Sequence, residues 1–232
     1  MNESVPDYRS FRLSKIAQPE YRHILLLLGW PLFFILYFLT ENLIPNSACT
    51  VVHCALDDRI PFNELFMIPY TFWYFEIVFS LAYFFFHNVE NFKALQTYII
   101  ITQMVAMAIY IAFPTRQDMR PLTFPRDNFL TDMVKFLYMT DDNTGVCPSL
   151  HVAYAIGMAS AWFKEKRAGR VWKCFIGIMT VFICISVAFV KQHSVVDIIA
   201  ALPLCALAEV LAYGKCYWKP RLATSRRYIA SP

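Results

Sequence analysis

Residues 171–213 read VWKCFIGIMTVFICISVAFV, then KQHS, then VVDIIAALPLCALAEVLAY. Two apolar runs of about 20 residues, each long enough to cross a hydrocarbon core as a helix, are broken only by Lys191-Gln192-His193-Ser194. A polar tetrapeptide between two such runs reads as a chain reversal at a membrane surface. Within lipid every backbone polar group must be bonded inside its own segment or a closed barrel. Near-continuous apolar runs select helices. Working outward, further apolar runs cover 23–40, 66–86, 94–113 and 148–163, which with 171–190 and 194–213 make six spans. The expected fold is an all-α membrane protein, a six-transmembrane-helix bundle. The fourth and sixth spans are polar where they start, as helices opening into a wet cavity would be.

Composition supports the same class. Of 232 residues, 58% are hydrophobic and 16% charged, with mean hydropathy +0.43, whereas a soluble domain carries about 25% charged residues. The size suits one bundle, 23–213, between a basic tail over 1–22 and another over 214–232. The first apolar run is followed by no small-residue cleavage site, so 23–40 is expected to be a retained helix. If both termini are cytoplasmic, 15 of the 21 basic residues fall on that side: four up to Arg22, Lys93, five over 164–173 and five over 215–227. That excess predicts cytoplasmic termini. It places His151 and His193 on the non-cytoplasmic face.

Four connections besides the Lys191–Ser194 reversal separate the spans. Residues 41–65 are an outer loop containing Asp57-Asp58-Arg59-Ile60-Pro61-Phe62, read as a turn packing back on the bundle. Cys49 and Cys54 share this loop, as a disulfide or as two free thiols. Residues 87–93 and 164–170 are inner turns. Residues 114–147 form a long outer segment of the kind that serves as a functional lid. Within it Phe129, Met133, Phe136 and Leu137 recur at helical spacing, predicting a helix over 129–139. It lies on the interface or packs on the bundle. Tyr70, Trp73 and Tyr74 belong to an aromatic belt or line a lipid entrance. Glu76 and Glu209 fall inside helices with no assigned role.

Two motifs carry the chemistry. His193 and Asp197 share one helix face if the last helix begins near His193. A carboxylate there holds one imidazole nitrogen protonated and leaves the other free as a nucleophile; the alternative is a polar pair joining helices. Pro148-Ser149-Leu150-His151 opens the fourth span, with proline suited to the first helical position and serine to the start. Such a start presents unpaired N–H groups that bind phosphate, and His151 in its first turn can protonate a leaving oxygen. The bland alternative is a capped helix with an interfacial histidine. Arg116 and Arg120 either bind an anion or pair with Asp118 or Asp127.

These residues resemble the integral-membrane branch of the type 2 phosphatidic acid phosphatase and vanadium haloperoxidase superfamily, whose motifs are KxxxxxxRP, PSGH and SRxxxxxHxxxD. The second is matched as Pro148-Ser149-Leu150-His151. The third is matched at Ser186, His193 and Asp197, with Val187 in place of arginine. The first survives as Arg120-Pro121, with Phe113 where the lysine stands. These departures resemble the sub-branch of inositol phosphorylceramide synthases. The resemblance implies that His193 attacks phosphorus and becomes phosphohistidine, that Asp197 orients it, and that His151 moves the proton. It implies that Arg120, Arg116, Lys191 and Ser149 hold phosphate oxygens. It also implies that no metal or other cofactor is needed.

The function expected is a lipid phosphate phosphatase, with a lipid phosphate and the bilayer as partners and no nucleic acid. The alternative is a phospholipid or sphingolipid headgroup phosphotransferase. A small proton-coupled transporter, from another class, explains His193 and Asp197 but not Pro148–His151.

Overall fold

The computed structural model describes residues 6–221; Arg226 and Arg227, counted among the basic residues above, lie outside them. Seven α-helices are present: α1 Gly29–Leu43, α2 Met67–His87, α3 Val89–Ala112, α4 Phe129–Thr140, α5 Leu150–Lys164, α6 Arg170–Phe189 and α7 Val195–Tyr213. The all-α class therefore holds. The two loops at one end are joined by a two-residue parallel strand pair, β1 Thr50–Val51 with β2 Thr115–Arg116.

Among the described residues five helical stretches are long and apolar enough to cross a membrane: Arg22–Leu43, Glu64–His87, Val89–Ala112, Arg170–Phe189 and Val195–Arg221. Six were expected. The exception is α5, whose 15 residues rise only about 22 Å, short of a roughly 30 Å core. It is instead the buried centre of the bundle, packed against α2, α3, α6 and α7. Small residues allow this. Ala153, Ala155, Gly157, Ala159 and Ala161 let neighbouring helices approach closely, and an added Cβ at Gly157 would run into the Tyr98 ring of α3. Tyr98 Oη also donates to the Ala153 carbonyl at 3.2 Å.

Other boundaries differ for local reasons. The inner turn expected over 87–93 shrinks to Asn88, whose side chain accepts from Asn91 N and starts α3 at Val89. The expected tail folds back over 7–21: Tyr8 Oη donates to the Phe85 carbonyl at 3.0 Å and Tyr21 is buried. The helix expected over 129–139 is α4, capped by Asn128, whose side chain accepts from Thr131 N. Its apolar residues divide. Val134 and Leu137 are buried against the bundle, while Phe129, Phe136 and Met139 are exposed.

Candidate active site

The chain reversal between α6 and α7 builds the first half of the site. After Phe189 the main chain turns through Lys191, which has φ +53°, a left-handed conformation that costs a non-glycine residue about 1–3 kcal/mol. The turn is held by the Val187 carbonyl, which accepts from both Gln192 N and His193 N. Ser194 caps α7, its hydroxyl accepting from Val196 N at 3.1 Å, while Asp197 returns a bond from Ser194 N at 2.9 Å. This reciprocal capping box fixes Asp197, which is fully buried. The same oxygen, Oδ2, lies 3.2 Å from His193 Nδ1. The pair thus forms, but not on one helix face: His193 precedes the helix, and the turn delivers its ring to the carboxylate. With Nδ1–H donating to Asp197, Nε2 is left as the basic nitrogen.

The first loop clamps this turn from above. Asp57, 3% exposed, accepts from Ser194 Oγ at 2.6 Å, Val195 N at 2.8 Å and Cys54 N at 2.8 Å. Burial by itself would raise its pKa; those bonds, led by Ser194, outweigh burial and hold the carboxyl below its ordinary value. Lys191 Nζ donates to the carbonyls of Asp57 at 2.9 Å and Ile60 at 2.6 Å, and burial lowers its pKa. The turn expected over 57–62 does pack back on the bundle, but the sequence does not single out Asp57, since no local pattern marks an acid that caps a helix 138 residues later.

The second half is the start of α5. Ser149 is the residue before the helix, and its hydroxyl accepts from Val152 N at 3.5 Å. Pro148 therefore precedes the cap rather than occupying the first helical position. Its carbonyl accepts from Tyr110 Oη at 2.6 Å. Ser149 N donates to the Asp197 carbonyl at 3.1 Å, tying the two helix starts together. The result is that the rings of His151 and His193 stand 5.5 Å apart between centroids. His151 is flanked by Trp73 at 4.2 Å and Tyr70 at 4.7 Å, and its Nε2 has no hydrogen-bond partner among the described residues. The Cys147 thiol, pushed up to about 12 by burial and then by Asp197, stands beside the same carboxylate.

No protein-family model, curated protein or solved structure matches the chain.

Both histidines line a cavity of about 680 Å³ between α1, α2, α4 and the loop before α5. Trp30, Tyr37, Trp73, Tyr74 and Tyr154 form much of its wall, Asp142 lines it as well, and Asp141 is bonded to Gln192 beside His193. None of the three candidate phosphate-binding cations lines it. Arg120 donates to the carbonyls of Tyr138, Asp141 and Asp142 and to Gln192 Oε1, and lies 4.6 Å over the Tyr138 ring. Arg116 pairs with Asp118 at 3.1 Å, and Lys191 is occupied as described. Ser149 is buried as a helix cap. Gln192, overlooked in the sequence because it lies inside the motif as a bland neighbour, links Arg120 to Asp141 through Nε2–H at 3.0 Å.

Cys49 and Cys54 are free thiols. Among the described residues no three His, Cys, Asp or Glu side chains converge as a metal-binding group.

Proposed function

We propose that this chain is a membrane enzyme that transfers a phosphoryl group on a lipid, with His193 as the nucleophile. The observation that carries the reading is the His193–Asp197 pair set beside His151 on the wall of one cavity. Asp197 holds Nδ1–H, so the Nε2 lone pair attacks phosphorus. The new N–P bond forms as the P–O bond to the lipid alcohol breaks, its electron pair passing to that oxygen. His151 supplies the proton to the departing alcohol. The same ring then takes a proton from the acceptor, whose oxygen attacks phosphorus, and the N–P electrons return to His193. With water as acceptor the enzyme is a lipid phosphate phosphatase. The motif resemblance to the phosphatidic acid phosphatase superfamily agrees with this chemistry.

A phosphodiester donor, the donor of a headgroup phosphotransferase, is favoured by one specific observation. The cavity carries carboxylates where a phosphate dianion would need cations, and Arg120, Arg116 and Lys191 are engaged in holding loops. In the membrane, α5 serves as a sixth crossing completed by its flanking loops. The excess of basic residues favours cytoplasmic termini, with the histidines at the opposite face.

The test is release of phosphate or headgroup from a panel of phospholipids by the purified chain, with His193→Ala as control. Turnover lost in the variant, and an acid-labile, base-stable phosphoryl adduct on the unsubstituted chain, are the expected results. Turnover of His193→Ala within tenfold of the unsubstituted chain would remove His193 as nucleophile. Vanadate, which mimics the transition state of phosphoryl transfer, is expected to inhibit.

A further inference from the structure

The cavity has a mouth and, away from it, the histidines. At the mouth, Phe34 of α1 and Tyr74 and Val78 of α2 line the space while remaining 58%, 47% and 70% exposed. All three lie on stretches apolar and long enough to cross a membrane. The opening therefore faces the side of the bundle, where lipid would stand. The volume is that of a typical ligand pocket, enough for a headgroup, its phosphate and the adjoining backbone with the acyl chains left outside. The histidines line the space together with Asp141, bonded to Gln192 beside His193, and with the exposed Asp142.

Charge in the lining is the informative part. Asp141 is fixed by Tyr37 Oη at 2.9 Å and by Gln192 Nε2 at 3.0 Å, so its carboxylate keeps a constant position and retains accepting lone pairs. Asp142, an exposed residue, adds a second acidic residue to the lining. The Arg120 guanidinium is bound to the Asp141 and Asp142 carbonyls and to Gln192 Oε1, and does not itself line the cavity. Aromatic rings of Trp30, Tyr37, Trp73 and Tyr74 complete the wall. A phosphomonoester carries close to two negative charges and would be repelled here. Carboxylates beside electron-rich ring faces suit a cation.

Resting on the phosphoryl-transfer reading above, we propose that the cavity takes a phosphodiester lipid with an amine-bearing headgroup, and that Asp141 and Asp142 receive the amine. The phosphate, with one negative charge, is then presented to His193, and the cation offsets the repulsion that a monoester would meet. His193 attacks phosphorus and one P–O bond breaks, its electron pair passing to the departing oxygen, which His151 protonates. If that oxygen is the headgroup's, the lipid phosphate stays on His193; if it is the lipid alcohol's, the headgroup phosphate stays. The charge selection is the same in both cases.

The test uses the full chain carrying His193→Ala, in detergent, so that binding is read without turnover. The probes are dihexanoyl phosphatidylethanolamine, phosphatidylglycerol and phosphatidic acid, titrated calorimetrically. The amine lipid is expected to bind about tenfold more tightly than the other two, the scale of one charge-assisted hydrogen bond. Asp141→Asn is expected to abolish that preference, and Asp142→Asn, which leaves the Tyr37 and Gln192 bonds in place, to reduce it. Phosphatidic acid binding as tightly as the amine lipid would overturn the inference, as would an undiminished preference in both variants. Selective binding together with no turnover of any lipid by the unsubstituted chain would retire the enzymatic reading and keep this one. Turnover confined to phosphatidic acid would do the reverse.

Discussion

Replacing Asp57 by alanine tests whether the first loop positions the nucleophile. The substitution removes acceptors for Ser194 Oγ, Val195 N and Cys54 N, at 2.6, 2.8 and 2.8 Å. A hydrogen bond to a charged group contributes about 1.5–3 kcal/mol, and a buried donor left unpaired costs about 1–3 kcal/mol. The three share one carboxylate and do not add, so the loss is about 3–5 kcal/mol. Lys191 keeps its bonds to the backbone carbonyls of residues 57 and 60, at 2.9 and 2.6 Å, so the loop loosens without detaching. The turn carrying His193 then shifts, and a displacement of about 1 Å costs about 100-fold in rate.

Three measurements separate positioning from general instability. The thermal midpoint should fall. Amide exchange at Val195 should accelerate, because its N–H loses its partner. Turnover of phospholipid should drop about 100-fold in kcat with KM nearly unchanged, and Asp57→Asn, which keeps one carbonyl oxygen, should recover part of it. Turnover of Asp57→Ala within threefold of the unsubstituted chain, with Val195 exchange unchanged, would refute the reasoning. The pH dependence has a defined sign. The folded-state pKa lies below the ordinary 3.8, so the clamp's contribution is complete above that value and is lost as pH falls through the folded-state pKa. The Asp57→Ala chain should lack that part of the acid transition.

Further outcomes concern the scaffold and the site's surroundings. Gly157→Val would drive side-chain atoms into the Tyr98 ring; overpacking of this kind costs about 1–3 kcal/mol, read as a lower unfolding midpoint, and Tyr98→Ala in the same chain should recover part of it. Arg120→Ala leaves Gln192 Oε1 and three carbonyls without their donor, and should cost about 2–4 kcal/mol and increase proteolysis over residues 138–142. Cys147, with its thiol at about 12 against an ordinary 9.0, should react with iodoacetamide at pH 8 about 1,000-fold more slowly than an unperturbed thiol. Asp197→Asn removes the second cause of that shift and should speed the reaction several-fold.

The sequence by itself determined that the chain is helical and membrane-embedded, because apolar run length against bilayer thickness is a local property. Five of the spans appear within a few residues of their expected limits. It also marked His151, His193 and Asp197, since unusual polar residues at the ends of apolar runs stand out without a structure. What tertiary structure alone decided is how those residues meet and what surrounds them. His193 reaches Asp197 through the left-handed turn at Lys191 and a capping box, not along a helix face. The three cations expected around a phosphate are engaged elsewhere, and Asp141, Asp142 and Gln192 stand in the cavity instead. Residue type reports the charge a side chain carries. Which backbone carbonyls and carboxylates it can reach depends on contacts between segments more than 100 residues apart, such as Asp57 with Ser194, and only the packed bundle brings these into range.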